Sequence, residues 1–143
     1  MDIFNPNESV GFHCSITYRS FARALEGRLH TTGVSPVQFI ALAHLMALGT
    51  MPQAELAAHL SISPVSVVKL IDRMERDGWV ERRPSSKDRR VKLVVPTSQA
   101  KAIWNELTVH ARAIVKQAHA GISQKEIEML KMTLRKIRNN LEM

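Results

Sequence analysis

Between residues 8 and 30 the apolar positions Cys14, Tyr18, Phe21, Leu25 and Leu29 recur at spacings of four, three, four and four. That is one stripe of an amphipathic helix, and Thr31-Thr32-Gly33 ends it. Ser35-Pro36-Val37-Gln38 reads as the next start: Ser35 caps, Pro36 suits the first helical position, and Gln38 reaches back to the cap. This second helix carries Phe39, Leu42, Leu45 and Met46 and stops at Gly49. Met51-Pro52 opens a short helix over 53–59, and Ser61-Ile62-Ser63 is a tight turn. Ser63 caps a further helix with Val67, Leu70, Ile71 and Met74 on one side. Ser66, Lys69, Asp72, Arg73 and Arg76 lie largely on the other, and Gly78 ends it.

The period then switches from helical to two. Residues 79–83 read as a strand, 84–88 as a polar turn and 91–95 as a second strand closed by Pro96. Thr97 or Ser98 caps a long helix to about residue 120, and Ser123-Gln124-Lys125-Glu126 is a second capping box. In the last helix Ile127, Leu130, Leu134, Ile137 and Leu141 recur at three, four, three and four, the a/d repeat of a helix-packing seam. The fold class is mainly α with a small β-hairpin wing, and helix, tight turn, helix, hairpin is the order of a winged helix-turn-helix. Residues 34–97 form that unit, and 1–33 with 98–143 form a helical layer.

Charge sharpens the picture. Lys and Arg number 20 against 13 acids, for a net charge of +7. Residues 1–60 carry three basic residues against four acids, and residues 61–97 carry nine against five. Arg82, Arg83, Lys87, Arg89, Arg90 and Lys92 crowd one short stretch with Asp88 as its one acid. A basic hairpin beside a short helix suits a polyanion, most simply double-stranded DNA. An α-helix about 10–12 Å across fits a major groove about 12 Å wide. At the helix's N-terminal end Ser63, Val65, Ser66 and Lys69 are placed to reach base edges, and Arg73, one turn on, is placed for a phosphate. Arg82, Arg83, Lys87 and Arg90 belong to the hairpin, whose tip is narrow enough for the minor groove. Asp88 accepts hydrogen bonds from Arg90 and holds that fork in one rotamer.

Residues 60–82, from Leu60-Ser61-Ile62-Ser63-Pro64 through Asp72-Arg73-Met74-Glu75-Arg76-Asp77-Gly78-Trp79-Val80-Glu81-Arg82, resemble the recognition helix and first wing strand of the MarR family of bacterial regulators. Asp88-Arg89-Arg90 resembles that family's Asp-x-Arg wing motif, and nearly the whole chain follows its helix order. The resemblance implies a homodimer on a pseudo-palindromic operator, with the first and last two helices as the dimerisation layer. It implies Arg73 as a phosphate contact, Arg90 as the minor-groove contact and Asp88 as the residue that orients it. Repression is the commoner mode. Val68 stands where the family often has Thr, and Ser98-Gln99-Ala100 replaces the family's Gly after the wing.

The resemblance also implies release by a small aromatic carboxylate bound between the helical layer and the winged helix, where Phe12, His13, Phe39, His44 and Trp104 are candidates. Arg19, Arg23 or Arg28 can pair with its carboxylate; the competing reading for all three is a solvated helix face. Cys14-Ser15-Ile16-Thr17-Tyr18 resembles the Cys-x-x-x-Tyr of the family's peroxide sensors, so Cys14 is a candidate redox residue, although Tyr18 is the one tyrosine in the chain. A small buried hydrophobe is the alternative for Cys14. The six histidines show no zinc-type spacing, and neither metal nor cofactor is expected. Phosphate loops and nucleophile elbows are lacking, which argues against an enzyme. A protein–protein adaptor would not need the hairpin's arginines, and a membrane-surface protein would place its cations along an amphipathic helix. One cysteine rules out an intrachain disulfide. Without a leader or an apolar run near 18 residues, the expected location is the cytoplasm.

Overall fold

The computed structural model describes residues 4–142. A turn of 3-10 helix, Pro6–Glu8, leads into α1 (Val10–Leu29), capped by Ser9. Helix α2 (Pro36–Leu48) starts with Ser35 and Gln38 in the reciprocal capping box that their spacing predicts. Gly49, at φ 90, turns the chain into β1 (Met51–Pro52). Then come α3 (Gln53–Leu60), α4 (Pro64–Arg76), β2 (Val80–Pro84), β3 (Lys92–Pro96), α5 (Ser98–Ala118) and α6 (Gln124–Leu141). Ser63 and the Ser123–Glu126 box cap α4 and α6 as their spacing predicts.

The sheet has three antiparallel strands in the order β1-β3-β2. Residues 51–52 are therefore a strand, and not only the opening of a helix. The hairpin alone would leave one edge of β3 unpaired next to the buried Val94. Met51, itself buried, pairs there with Val94 and Pro52 with Leu93.

The core gathers Leu42, Leu45, Leu56, Val67, Leu70, Ile71, Met74, Val80 and Val94, each at most 2% exposed. Burying each such side chain contributes about 1.5–3 kcal/mol. Leu29, Ala100 and Leu107 extend this core beneath the end of α1 and the start of α5. The junction of α4 with the wing is tied by polar bonds. Gly78 takes φ 86, and a Cβ there would stand 2.6 Å from the Gln99 side chain. The Thr97 hydroxyl donates to the Gly78 carbonyl at 2.6 Å and also caps α5. Gln38 Nε2 donates to Asp77 at 3.1 Å, joining the start of α2 to the end of α4. That bond, with a second from Arg76, holds the Asp77 carboxyl below its ordinary pKa.

The apolar stripe of α1 is only partly covered. Leu29 is buried and Leu25 half-buried, whereas Phe21, Tyr18 and Cys14 are exposed. Helix α6 packs only weakly on the rest of the chain. Ile127 is buried and Leu134 and Ile137 are half-buried, but Leu130 and Leu141 of the predicted seam lie open. Among the described residues no single helix is long and apolar enough to cross a membrane.

Candidate nucleic-acid interface

Helices α3 and α4 meet at 108°, within the range of a helix-turn-helix. Ser61, at φ 54, makes the left-handed turn between them. The buried face of α4 leaves Ser63, Val65, Ser66, Val68, Lys69 and Arg73 exposed together on the opposite side. Ser63 Oγ accepts from the Ser66 backbone at 3.1 Å and donates to its hydroxyl at 2.9 Å. Both serines remain at the surface, where this helix end presents hydroxyls and a positive dipole.

The wing closes through Ser85 N to the Val91 carbonyl at 2.9 Å and Val91 N to the Asp88 carbonyl at 3.0 Å. Asp88 then accepts three bonds from Arg90: from the backbone N at 3.0 Å, from Nε at 3.1 Å and from Nη2 at 3.2 Å. The Arg90 side chain is nevertheless 92% exposed. The expected hold of Asp88 on the Arg90 fork is present, with the guanidinium presented to solvent at the wing tip. Hydrogen bonds from the Arg90 side chain and backbone keep the Asp88 carboxyl below its ordinary pKa. Lys87 is exposed beside them. Arg89 and Lys92, which belong to the same basic run but not to the expected contacts, are exposed as well.

Two wing arginines sit differently. Arg83 is exposed and donates to Glu81 at 2.8 Å across the outer face of β2. Arg82 does not project with the other cations. Its side chain is only 19% exposed and ends on Asp72, Glu75, Gln53 and the Val68 carbonyl. Where the sequence predicts a DNA contact, the Arg82 guanidinium is engaged within the protein. The signal was in the alternation: Val80 and Arg82 lie two apart in a strand and share its inner face.

The aromatic candidates fall in three places. Phe39 stacks on Trp104, with ring centroids 5.5 Å apart and planes 17° apart. Phe12 meets His13 edge-on, and His13 donates to the Asn7 carbonyl at 2.6 Å. His44 donates to the Ile40 carbonyl and faces His59 at 5.6 Å. A cleft of about 260 Å³ runs between α1, α2 and α5, lined by Tyr18, Phe21, Leu25, Phe39, Ile40 and Ile114 among others. Of the five aromatic candidates, Phe39 lines it. A larger cleft of about 420 Å³ lies between α1, α5 and α6, past Phe21, Ile127 and Leu130. Arg19 donates to Ser15, and Arg28 reaches from α1 to His110 of α5 at 3.3 Å. Cys14 and Tyr18 stand exposed one turn apart on α1. Among the described residues no three His, Cys, Asp or Glu side chains are grouped to hold a metal ion.

Comparison with known proteins matches this geometry. The profile of the MarR family covers residues 32–91. The chain is 34% identical over 91 residues to the HTH-type transcriptional regulator YwoH of Bacillus subtilis. That match covers 64% of the chain and 66% of the relative, just under two thirds. A MarR mutant from E. coli, solved in complex with operator DNA, superposes with a TM-score of 0.85 at 24% identity, covering 96% of this chain and 99% of that one. BpsR of Bordetella bronchiseptica, solved in a study of its regulation by 6-hydroxynicotinic acid, superposes with a TM-score of 0.84 at 20% identity, covering 96% and 98%. Residues 32–91 thus match the MarR family model, the fold is that of solved MarR structures, and the relatives that the chain resembles are transcriptional regulators.

Proposed function

We propose that the protein works as a homodimeric repressor on a pseudo-palindromic operator, released by a small aromatic carboxylate. Residues 34–97 form the DNA-binding unit and 1–33 with 98–143 the dimerisation layer. Each subunit lays α4 in a major groove, where Ser63, Val65, Ser66 and Lys69 meet base edges. Arg73 takes a phosphate, and Arg90, with Lys87 and Arg83 behind it, enters the adjacent minor groove. The observation that carries this reading is the Asp88–Arg90 fork, a guanidinium bonded twice to Asp88 yet 92% exposed in the basic wing that follows α4.

The dimer is supported by the apolar surface left open on α1 and α6. Val10, Ile16, Tyr18, Leu130, Met132 and Leu141 are all exposed, apolar surface that a second copy would cover. Two-fold symmetry then sets the half-sites about one helical turn apart. The ligand reading is supported by the apolar cleft beside Phe39, whose ring Trp104 backs, and by the aromatic acid that regulates BpsR. Arg28, one turn from Leu25, supplies a cation near that cleft.

Selection of bound duplexes from random sequence tests the reading. The expected product has two inverted half-sites, and benzoate-type acids release it. Leu130→Glu is expected to sediment as a monomer and to lose that selectivity. Selected duplexes without inverted symmetry, or a Leu130→Glu dimer with full affinity, would overturn it.

A further inference from the structure

We propose that Arg82 is a positioning residue that sets the register of the wing against α4, and that this register fixes which operator spacing the protein accepts. The inference rests on the reading that α4 and the wing tip contact one duplex together.

Arg82 ties three elements at a single point. Nε donates to Gln53 Oε1 at the start of α3, at 3.0 Å. Nη1 donates to Glu75 Oε1 at 3.1 Å. Nη2 reaches Asp72 Oδ1 at 2.7 Å and the Val68 carbonyl at 3.3 Å, both on α4. The Arg82 backbone N–H adds a bond to Glu75 Oε2 at 3.1 Å. Only a planar fork with five donors reaches all these acceptors at once; an ammonium group does not. Isolated surface ion pairs contribute little, but here each bond constrains the same strand from a different direction, and the side chain is mostly covered.

The position of the clamp gives it leverage. Arg82 lies at the middle of β2, opposite Val94 of β3, and the wing tip with Arg90 extends beyond it. Arg90 is four residues from Val94, the partner of Arg82, and at about 3.3 Å per residue it lies up to about 13 Å from the pivot. A tilt of about 15° would then move Arg90 by about 3.4 Å, one base-pair step. On the other side of the clamp, Asp72 is three residues from Lys69 and one from Arg73 on α4. Arg82 is thus the joint between the major-groove and minor-groove contacts.

The test uses the full chain and the duplex that the wild type selects. Companion duplexes carry one base pair added or removed between the α4 half-site and the step beneath the wing. Wild type is expected to prefer the native spacing by about tenfold, the range of one mismatched base pair. Arg82→Lys, which keeps the charge and loses the fork, is expected to accept all three spacings within about twofold. Its affinity for unrelated duplex and its salt slope should match wild type. Gln53→Ala, which leaves both ion pairs and unties α3, is expected to relax the preference partway, and it decides the matter should Arg82→Lys not fold. A merely structural role would lower affinity for every duplex in parallel and leave the spacing preference intact; that result overturns the proposal. A wild type that binds every duplex equally would instead overturn the DNA-contact reading beneath it.

Discussion

Asp88 is the residue whose presence beside DNA needs a reason, because a carboxylate there repels phosphates. Its three bonds from Arg90 supply one. A free arginine carries about 2 kcal/mol of rotamer entropy, and a side chain already fixed loses less on binding. The Asp88 pKa is lowered by those bonds. The fork is therefore intact above the ordinary carboxylate range and lost as the pH falls through the lowered value, so pH 6–8 leaves it untouched. Asp88→Asn is expected to weaken operator binding by about 2- to 12-fold, the cost of ordering one long side chain. Affinity for unrelated duplex, measured by fluorescence anisotropy, should hold or rise slightly. Tighter binding to both duplexes, which removal of a negative charge alone would give, contradicts the assignment. Arg82 is the contrasting case: the basic run that makes it conspicuous in the sequence does not tell which strand face each cation takes, whereas the period-two pairing with Val80 does.

At the scale of elements, helix starts were the most legible features. Ser35 with Gln38, Ser63, and Ser123 with Glu126 each make the cap that their spacing predicts, because a cap is a local bond between residues three apart. Of Thr97 and Ser98, the structure selects Thr97, whose hydroxyl also reaches back to Gly78. Thr97→Ala should therefore lower stability by about 1–2 kcal/mol in urea unfolding, through the lost cap and the unpaired carbonyl. An unchanged midpoint would show that this bond does not hold the wing to α5. What escaped the sequence was non-local. Strand β1 is too short to show alternation, and its existence depends on Val94 some forty residues on. The stripe of α1 reads as one uniform face, yet the chain buries only the end near Leu29. A sequence pattern marks which face is apolar and not which part of it another copy would have to cover. The aromatic candidates illustrate the same limit: Phe39 and Trp104 meet, while Phe12, His13 and His44 settle elsewhere.

At the scale of the whole molecule, the densest basic run and much of the open apolar surface sit on different elements. Arg82 to Lys92 is the densest basic run, on the wing, and the exposed Val10, Ile16, Tyr18, Leu130, Met132 and Leu141 lie on α1 and α6. Helix α6 carries cations as well, among them Lys131, Arg135 and Arg138. On the proposed reading, α4 and the wing meet the polyanion and the terminal helices meet a second copy. The most direct measurement is a salt series of duplex binding on the selected operator, with wild type, Arg73→Ala and Arg90→Ala side by side. Wild type should lose affinity linearly in log salt, with a slope of roughly −0.9 per phosphate neutralised. Arg73→Ala should weaken all sequences about equally, and Arg90→Ala should weaken the operator and erase any A/T preference beneath the wing. An Arg90→Ala protein with unchanged affinity at physiological salt would contradict the placement of the wing on DNA.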